Sequence, residues 1–153
     1  MGYLDYKRYL DSFFRDVTAL GGFPSTVIVL LLVWFLIDAS LFKQLLMGIL
    51  ITIFIVVIIR LIYFKDRPKK QAHNNIIEMI EASTFPSLHA ARSGFMALAF
   101  VYYFNNLALN ITIVIIAILI SYSRVYLKKH YWLDIIGGWI LGIITYYLTA
   151  LVY

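Results

Sequence analysis

The chain of 153 residues contains no cysteine, which excludes disulfides, cysteine nucleophiles and thiolate metal ligands. Charged residues are also scarce: they make up 14% of the chain, against roughly a quarter in soluble domains. Hydrophobic residues make up 63%. This composition predicts an integral membrane protein that forms a single domain over residues 1–153, without an appended soluble domain.

The net charge of +5 at pH 7 would in a soluble protein raise the question of nucleic-acid binding. Here the cations lie at the edges of apolar runs and are not spread over a soluble face. The sequence therefore predicts the bilayer and a lipid phosphate as partners, and no nucleic acid. Nothing in the sequence indicates an oligomeric state.

Residues 3–20 alternate apolar and charged side chains at three- and four-residue spacings, which predicts an amphipathic helix lying in the bilayer interface. Five apolar runs follow, each about long enough to cross roughly 30 Å of hydrocarbon. We expect a turn around Lys43-Gln44 between the first two. The predicted fold is all-α and membrane-integral, with the interfacial helix and about five transmembrane helices, at about 24–42, 45–64, 88–104, 107–127 and 132–152.

The polar interval 65–87 is the only long connection between these spans. Its middle part, 76–81, has helical spacing and predicts a short interfacial helix. Pro86 and Ser87 then begin the third span, with Ser87 as its N-cap.

Alternating crossings place the ends of the second and fourth spans on the same membrane face as the starts of the third and fifth. The polar residues that meet there are Arg60, Arg67, Ser87, His89, Arg124, His130 and Asp134. Such convergence of distant positions, with charged groups at the mouths of apolar segments, indicates a functional site.

The residue types on this face suit a phosphate group. Arginine binds phosphate through two parallel N–H groups, so we expect Arg60, Arg67 and Arg124 to bind the substrate phosphate. Ser87, at the start of a helix, would add its hydroxyl and the nearby backbone N–H groups.

Hydrolysis without a metal then needs a nucleophile and an acid. We expect His130 to attack phosphorus, while Asp134, one helical turn later, accepts a hydrogen bond from the N–H of its other ring nitrogen and so fixes the tautomer. His89 would protonate the leaving oxygen and later deprotonate water. A metal on these three side chains is the alternative, but the arginines would repel a cation, so we expect no metal and no cofactor.

Three motifs resemble those of the type 2 phosphatidic acid phosphatase superfamily, whose membrane members dephosphorylate lipid phosphates and pyrophosphates. The third motif, Ser-Arg, five residues, His, three residues, Asp, is complete over 123–134. The second, Pro-Ser-Gly-His, has Leu88 in place of Gly. The first, Lys, six residues, Arg-Pro, has Arg60 in place of Lys. The resemblance covers about residues 45–150.

The resemblance implies the same roles for the site residues and a metal-independent lipid phosphatase that acts through a phosphohistidine. The implied substrate is a polyprenyl diphosphate or a phosphatidate-type lipid. A phosphotransferase would use the same intermediate with an acceptor alcohol in place of water. The altered first and second motifs also leave open a non-catalytic lipid-phosphate binder or transporter.

The side of the membrane on which the site lies is a point of conflict. All but one of the thirteen Lys and Arg residues lie on the predicted site face, with Lys43 opposite, and the positive-inside rule would make that face cytoplasmic. Phosphate chemistry accounts for several of these cations, however. The resemblance implies an extracytoplasmic site, and we expect a multi-pass plasma-membrane protein with that orientation.

Two further features have structural interpretations. Lys65, at the end of a span, is interpreted as a cation that extends to the interface. Gly138 and Gly142 are small residues four positions apart, which predicts tight helix packing within the bundle.

Overall fold

The computed structural model describes residues 3–153, with side chains from Asp5 onward. Every regular element in that range is a helix, which confirms the all-α prediction for this part of the chain. The helices are α1 (Tyr3–Leu20), α2 (Phe23–Leu36), α3 (Ala39–Ile62), α4 (Ile76–Ala82), α5 (Leu88–Tyr103), α6 (Leu107–Tyr126) and α7 (Trp132–Ala150).

Three of these helices, α3, α6 and α7, are each long and apolar enough to cross a membrane. The pair α1 and α2, bent by 47° at Gly21-Gly22, meets the same criterion as one broken span. The protein is therefore a multi-pass membrane protein. The exact number of spans and the position of α1 in the interface stay predictions.

The turn between the first two predicted spans lies at Ile37-Asp38, so the prediction of a turn around Lys43-Gln44 is wrong. Asp38 caps α3, because its Oδ1 accepts a hydrogen bond of 2.7 Å from the backbone N of Leu41. Lys43 is exposed on the surface of α3. The prediction followed hydropathy, which falls at a lysine, whereas the helix begins where a short carboxylate can satisfy free N–H groups.

The packing of α5 against α7 forms the centre of the bundle and depends on two glycines. A Cβ on Gly138 would lie 2.6 Å from Ser87 O, and one on Gly142 would lie 2.5 Å from Ala91 O. The prediction that these small residues allow tight packing inside the bundle is confirmed. The close approach also joins the starts of both helices, where Ser87 N donates to Asp134 O at 3.0 Å.

The first helix, α1, packs along the last turns of α6. The rings of Phe14 and Tyr126 have centroids 4.2 Å apart, and the Tyr126 hydroxyl donates to Asp11 at 2.9 Å. At the bend that follows α1, Arg92 of α5 donates to the carbonyl oxygen of Gly21. These contacts fix the bend between α1 and α2 against the end of the bundle that holds the predicted site.

The connection between α3 and α5 closes on itself over the start of α7. Thr84 N donates to Lys65 O at 2.9 Å, which pairs the two ends of the loop. Between them, Asn75 is the N-cap of α4, and its side chain accepts from Glu78 N at 2.9 Å. The loop therefore brings residues just after α3 and just before α5 to one place.

Candidate functional site

A cavity of about 310 Å³ lies at the end of the bundle where α3, α5 and α6 meet the loop before α7. Its walls include five of the predicted site residues: Arg60, Arg67, His89, Arg124 and His130. Leu88, Gln71 and Glu81 also line it. The structure thus joins residues from four separate stretches of the chain.

Two of the arginines hold the loop between α3 and α5. Arg60 donates from Nη1 to Ile80 O at 3.0 Å and from Nη2 to Pro86 O at 2.9 Å. Arg67 donates from Nη2 to Glu81 O. Both guanidinium groups are therefore fixed by backbone carbonyls at the edge of the cavity.

The third arginine, Arg124 at the end of α6, donates from Nη1 to Thr18 Oγ1 of α1 at 3.0 Å. In Arg60, Arg67 and Arg124 alike, Nε is buried and has no hydrogen-bond partner among the residues that the structure describes. A buried donor without an acceptor costs about 1–3 kcal/mol, and more when it is charged. Three such donors around one cavity indicate a site for an anion with several oxygens.

His130 precedes α7 in a turn where Lys128 has a φ of 55°. The backbone N atoms of Lys129 and His130 donate to Arg124 O at 2.9 and 3.2 Å and hold this turn. The His130 side chain is 3% exposed. Its Nδ1 lies 2.8 Å from Thr84 O and 2.9 Å from Thr84 Oγ1, which leaves Nε2 as the ring nitrogen available for chemistry in the cavity.

Asp134 is fully buried in the first turn of α7 and does not line the cavity. Its Oδ2 lies 3.9 Å from His130 Nδ1, which is too long for a hydrogen bond. The expectation that Asp134 bonds directly to His130 is therefore wrong, because a threonine hydroxyl lies between them. Asp134 instead accepts from Lys65 Nζ at 2.6 Å, Thr84 Oγ1 at 2.7 Å and Tyr131 N at 2.7 Å.

Sequence reasoning missed Thr84 and assigned Lys65 to the interface. The signal available for both was their position: Lys65 precedes Arg67 by two residues, and Thr84 precedes Pro86 by two. A position next to a motif could have indicated that each residue lies near the site, although lysine and threonine are also common in loops.

Ser87 is the N-cap of α5, as predicted, and its hydroxyl accepts from Ala90 N at 3.4 Å. It is fully buried and does not line the cavity, so its role in phosphate binding stays a prediction. Leu88 is the first residue of α5. Among the described non-glycine residues only Lys128 has a positive φ. Leu88 therefore replaces the glycine of the Pro-Ser-Gly-His motif without backbone strain.

His89 lies in the first turn of α5 and is partly buried in the cavity wall. The bend after α1 packs on its ring, since a Cβ on Gly21 would lie 3.1 Å from His89 Cδ2. The structure therefore places two histidines in one cavity, one fixed by Thr84 and the other supported by the bend.

The cavity carries an excess of positive charge. The pKa of His130 is lowered from 6.5 to about 3, first by burial and then by the charges of Arg124, Arg67 and Arg60. Burial also lowers the pKa of Arg67, and Glu81 acts in the opposite direction. Without a bound anion, His130 is therefore neutral at physiological pH, the form in which a ring nitrogen can attack.

The sequence of this chain matches a known protein family. The family model described as PAP2 superfamily matches residues 41–153. Undecaprenyl-diphosphatase BcrC of Bacillus subtilis (strain 168) is 33% identical over 89 residues, which are 57% of this chain and 45% of that protein. The match thus spans less than half the length of this curated relative.

Two solved structures share the fold. LpxE of Aquifex aeolicus aligns with a TM-score of 0.79 and 23% identity over 95% of this chain and 87% of that one. The transmembrane PAP2 type phosphatidylglycerolphosphate phosphatase of Bacillus subtilis aligns with a TM-score of 0.72 and 22% identity over 93% and 75%. Since the family model covers most of the sequence and all three motifs, the chain belongs to the PAP2 superfamily.

Proposed function

We propose that this protein is a lipid phosphatase, a metal-independent hydrolase of lipid phosphate esters or diphosphates that works through a phosphohistidine. The observation that supports it best is the set of three buried arginine Nε donors that have no partner in the described part of the chain, around a cavity that two histidines line. A phosphoryl group presents several oxygens to such donors and a phosphorus atom to a histidine nitrogen.

In the first step, Nε2 of His130 attacks phosphorus, and the bond between phosphorus and the leaving oxygen breaks. His89 gives a proton to that oxygen, which leaves with the lipid. The charge that develops on the phosphoryl oxygens is stabilised by the guanidinium groups of Arg60, Arg67 and Arg124. The result is a phosphorylated His130 and a released lipid alcohol or lipid monophosphate.

In the second step, water attacks the phosphorus of the phosphohistidine and the P–N bond breaks. His89, now neutral, accepts the proton of that water. Inorganic phosphate leaves, and both histidines return to their starting protonation states. A phosphotransferase would differ only in replacing this water with an alcohol.

Metal independence is supported by the residue types around the cavity. The arginines supply the positive charge for which other phosphatases use cations. Within residues 3–153, no group of three or more His, Asp or Glu side chains is placed to hold a metal ion. Activity should therefore persist in EDTA.

Among substrates we favour a polyprenyl diphosphate, with phosphatidate-type lipids as the second class. The support is the 33% identity to a protein named undecaprenyl-diphosphatase, together with the membrane helices that would place the cavity beside the lipid. Cleavage of the P–O–P linkage would release inorganic phosphate and leave a lipid monophosphate.

The proposed architecture is one domain with five spans and α1 in the interface, its site facing the extracytoplasmic side of the plasma membrane. In this arrangement the α5–α6 turn at Asn106 faces the cytoplasm. Asn106→Cys, in a chain without native cysteine, should react with a membrane-impermeant maleimide only after the cells are opened. Labelling in intact cells would show that the site faces the cytoplasm instead.

The function is tested with purified full-length protein in detergent and EDTA, offered undecaprenyl diphosphate, phosphatidate and a water-soluble phosphate monoester. Release of inorganic phosphate from a lipid is expected, with inhibition by orthovanadate. His130→Ala should abolish release. His73→Ala is the matched control, because His73 is exposed and contacts the ring of Phe64 outside the cavity.

Three results would contradict this proposal. Full activity of His130→Ala in a folded protein would exclude the phosphohistidine mechanism. Tight binding of the lipids without release of phosphate would favour the lipid-phosphate binder. If phosphate appears on an added alcohol instead of in water, the protein is a phosphotransferase.

A further inference from the structure

Thr84 occupies the space between the two residues that the third motif would pair directly. Its hydroxyl oxygen lies 2.9 Å from Nδ1 of His130 and 2.7 Å from Oδ2 of Asp134. The two outer atoms are 3.9 Å apart. Thr84 is fully buried, so water does not compete for these bonds.

The acceptors around Thr84 determine where the protons lie. Thr84 Oγ1 has one hydrogen, and the neighbouring Asp134 Oδ2 is a carboxylate oxygen that can only accept it. His130 Nδ1 also lies 2.8 Å from the carbonyl oxygen of Thr84, another pure acceptor. The contacts of Thr84 Oγ1 with His130 Nδ1 and with Asp134 Oδ2 are both hydrogen bonds only if Nδ1 carries a hydrogen and the hydroxyl hydrogen points to Asp134. This assignment leaves the lone pair on Nε2.

Lys65 completes the arrangement from the other side of the carboxylate. Its Nζ lies 2.6 Å from Oδ1 of Asp134, and its side chain is one-quarter exposed. Its ammonium group also lies over the ring of Tyr131, 5.0 Å from the centroid. A buried carboxylate is costly without a partner charge, so Lys65 stabilises Asp134 in its ionised form.

The backbone joins Lys65 and Thr84 into one unit. Thr84 N donates to Lys65 O at 2.9 Å, and Lys65 N donates to Ser83 Oγ at 3.4 Å. Both side chains that donate to Asp134 thus come from the two paired ends of the loop between α3 and α5.

We propose that Thr84 is a positioning residue for the nucleophile: its hydroxyl connects His130 to Asp134 and fixes the tautomer in which Nε2 is free, while Lys65 holds Asp134 in place. This proposal rests on the proposed function, in which His130 attacks phosphorus. As the P–N bond forms and the P–O bond breaks, the imidazole becomes cationic and its proton stays on Nδ1. The hydroxyl and the carbonyl of Thr84 then stabilise that charge, with Asp134 behind them.

The kinetic test compares Thr84→Val, Thr84→Ser and Thr52→Val in purified protein with undecaprenyl diphosphate. Thr84→Val should lower kcat about 10- to 100-fold with little change in KM, the factor expected for one hydrogen bond to a charged group. Thr84→Ser should restore kcat to within about threefold. Thr52→Val is the matched control, because Thr52 is equally buried and its hydroxyl meets that of Thr145 in the middle of the bundle.

A kcat of Thr84→Val equal to that of the unmodified protein would overturn the proposal. Equal losses in Thr84→Val and Thr84→Ser would overturn it too, since serine keeps the hydroxyl. If Thr84→Val does not fold, Lys65→Met takes its place. We expect the same loss of kcat in this variant, and an unchanged kcat would overturn the proposal.

A second measurement needs neither a variant at Thr84 nor an active enzyme. The 15N spectrum of histidine-labelled protein at about pH 7.5 reports which ring nitrogen carries the proton, and the signals of His130 are those lost in His130→Asn. The proposal requires protonated Nδ1 and unprotonated Nε2, whereas the opposite tautomer overturns it. If no lipid is hydrolysed, the proposed function fails on its own, and this spectrum still reports whether His130 has the tautomer that the positioning role of Thr84 requires.

Discussion

Arg60 donates a hydrogen bond of 2.9 Å to the carbonyl oxygen of Pro86, the residue before the N-cap of α5. A second nitrogen of the same guanidinium donates to Ile80 O at 3.0 Å. One side chain therefore ties the end of α3 to two points of the loop that carries the second motif. The first motif of the superfamily has a lysine at this position, and lysine offers only one nitrogen. Arginine here is therefore not an equivalent replacement.

We predict that Arg60→Lys destabilises the protein and weakens its activity together. Lysine ends in a single nitrogen, which cannot occupy both Nη positions, so we expect one of the two carbonyl acceptors to lose its donor, at a cost of about 1–3 kcal/mol. Thermal unfolding in detergent measures the first effect, and kcat/KM with undecaprenyl diphosphate measures the second. Arg8→Lys, at an exposed position of α1, should change neither. An unaltered melting temperature for Arg60→Lys would show that the two carbonyl contacts contribute nothing to stability.

Arg124 connects the cavity to α1 through Thr18. We therefore predict that variants at these two positions weaken anion binding to different extents. Arg124→Gln removes a charge from the cavity and should weaken inhibition by orthovanadate about 10- to 100-fold, as expected for a charged hydrogen-bond donor. Thr18→Val keeps the charge but removes its anchor, so the loss should be smaller. Arg15→Gln, exposed on α1, is the control for net charge. Equal inhibition of Arg124→Gln and the unmodified protein would remove Arg124 from the anion site.

The membrane class, the helices and the arginines and histidines around the cavity could be predicted from the sequence because each has a local signal. Long apolar runs indicate helices in a membrane, and alternation of crossings brings their polar ends together. Arg67, Arg124 and His130 stand at such ends, and all three line the cavity.

The contacts of Asp134 could not be predicted in this way. The spacing of four residues indicates that His130 and Asp134 share a helix face, but His130 lies in the turn before α7, where helical spacing does not apply. The space that opens there is filled by Thr84, which is fifty positions away in the sequence. Such a contact depends on how the loop between α3 and α5 closes, and no local pattern records it.

Two glycines provide a test of the packing that holds the starts of α5 and α7 together. We predict that Gly142→Ala destabilises the protein more than Gly94→Ala. A Cβ at position 142 would meet backbone, lying 2.5 Å from Ala91 O, whereas one at position 94 would lie 3.1 Å from the ring of Trp139. A side chain can move aside and a helix backbone cannot, so we expect a loss of about 1–3 kcal/mol for Gly142→Ala. Unfolding in detergent compares the two variants, and a larger loss for Gly94→Ala would contradict this ranking.

The lowered pKa of His130 predicts that stability falls as the solution is acidified. In the unfolded chain this imidazole takes up a proton below about pH 6.5, but in the folded protein it stays neutral down to about pH 3. The unfolded state therefore binds more protons between these values, so the free energy of unfolding rises with pH over that window. At about pH 5 the contribution of His130 amounts to a loss of about 2 kcal/mol relative to pH 7.5.

His130→Asn isolates this contribution because asparagine does not titrate. The difference in the free energy of unfolding between about pH 5 and pH 7.5 should be smaller in this variant by about 2 kcal/mol. In His73→Asn, where the side chain is exposed, the difference should equal that of the unmodified protein. Orthovanadate should reduce the acid sensitivity of the unmodified protein, because a bound anion offsets the positive charge of the arginines and allows His130 to be protonated in the folded state. The same acid sensitivity in His130→Asn and in the unmodified protein would show that His130 does not stay neutral in the folded cavity.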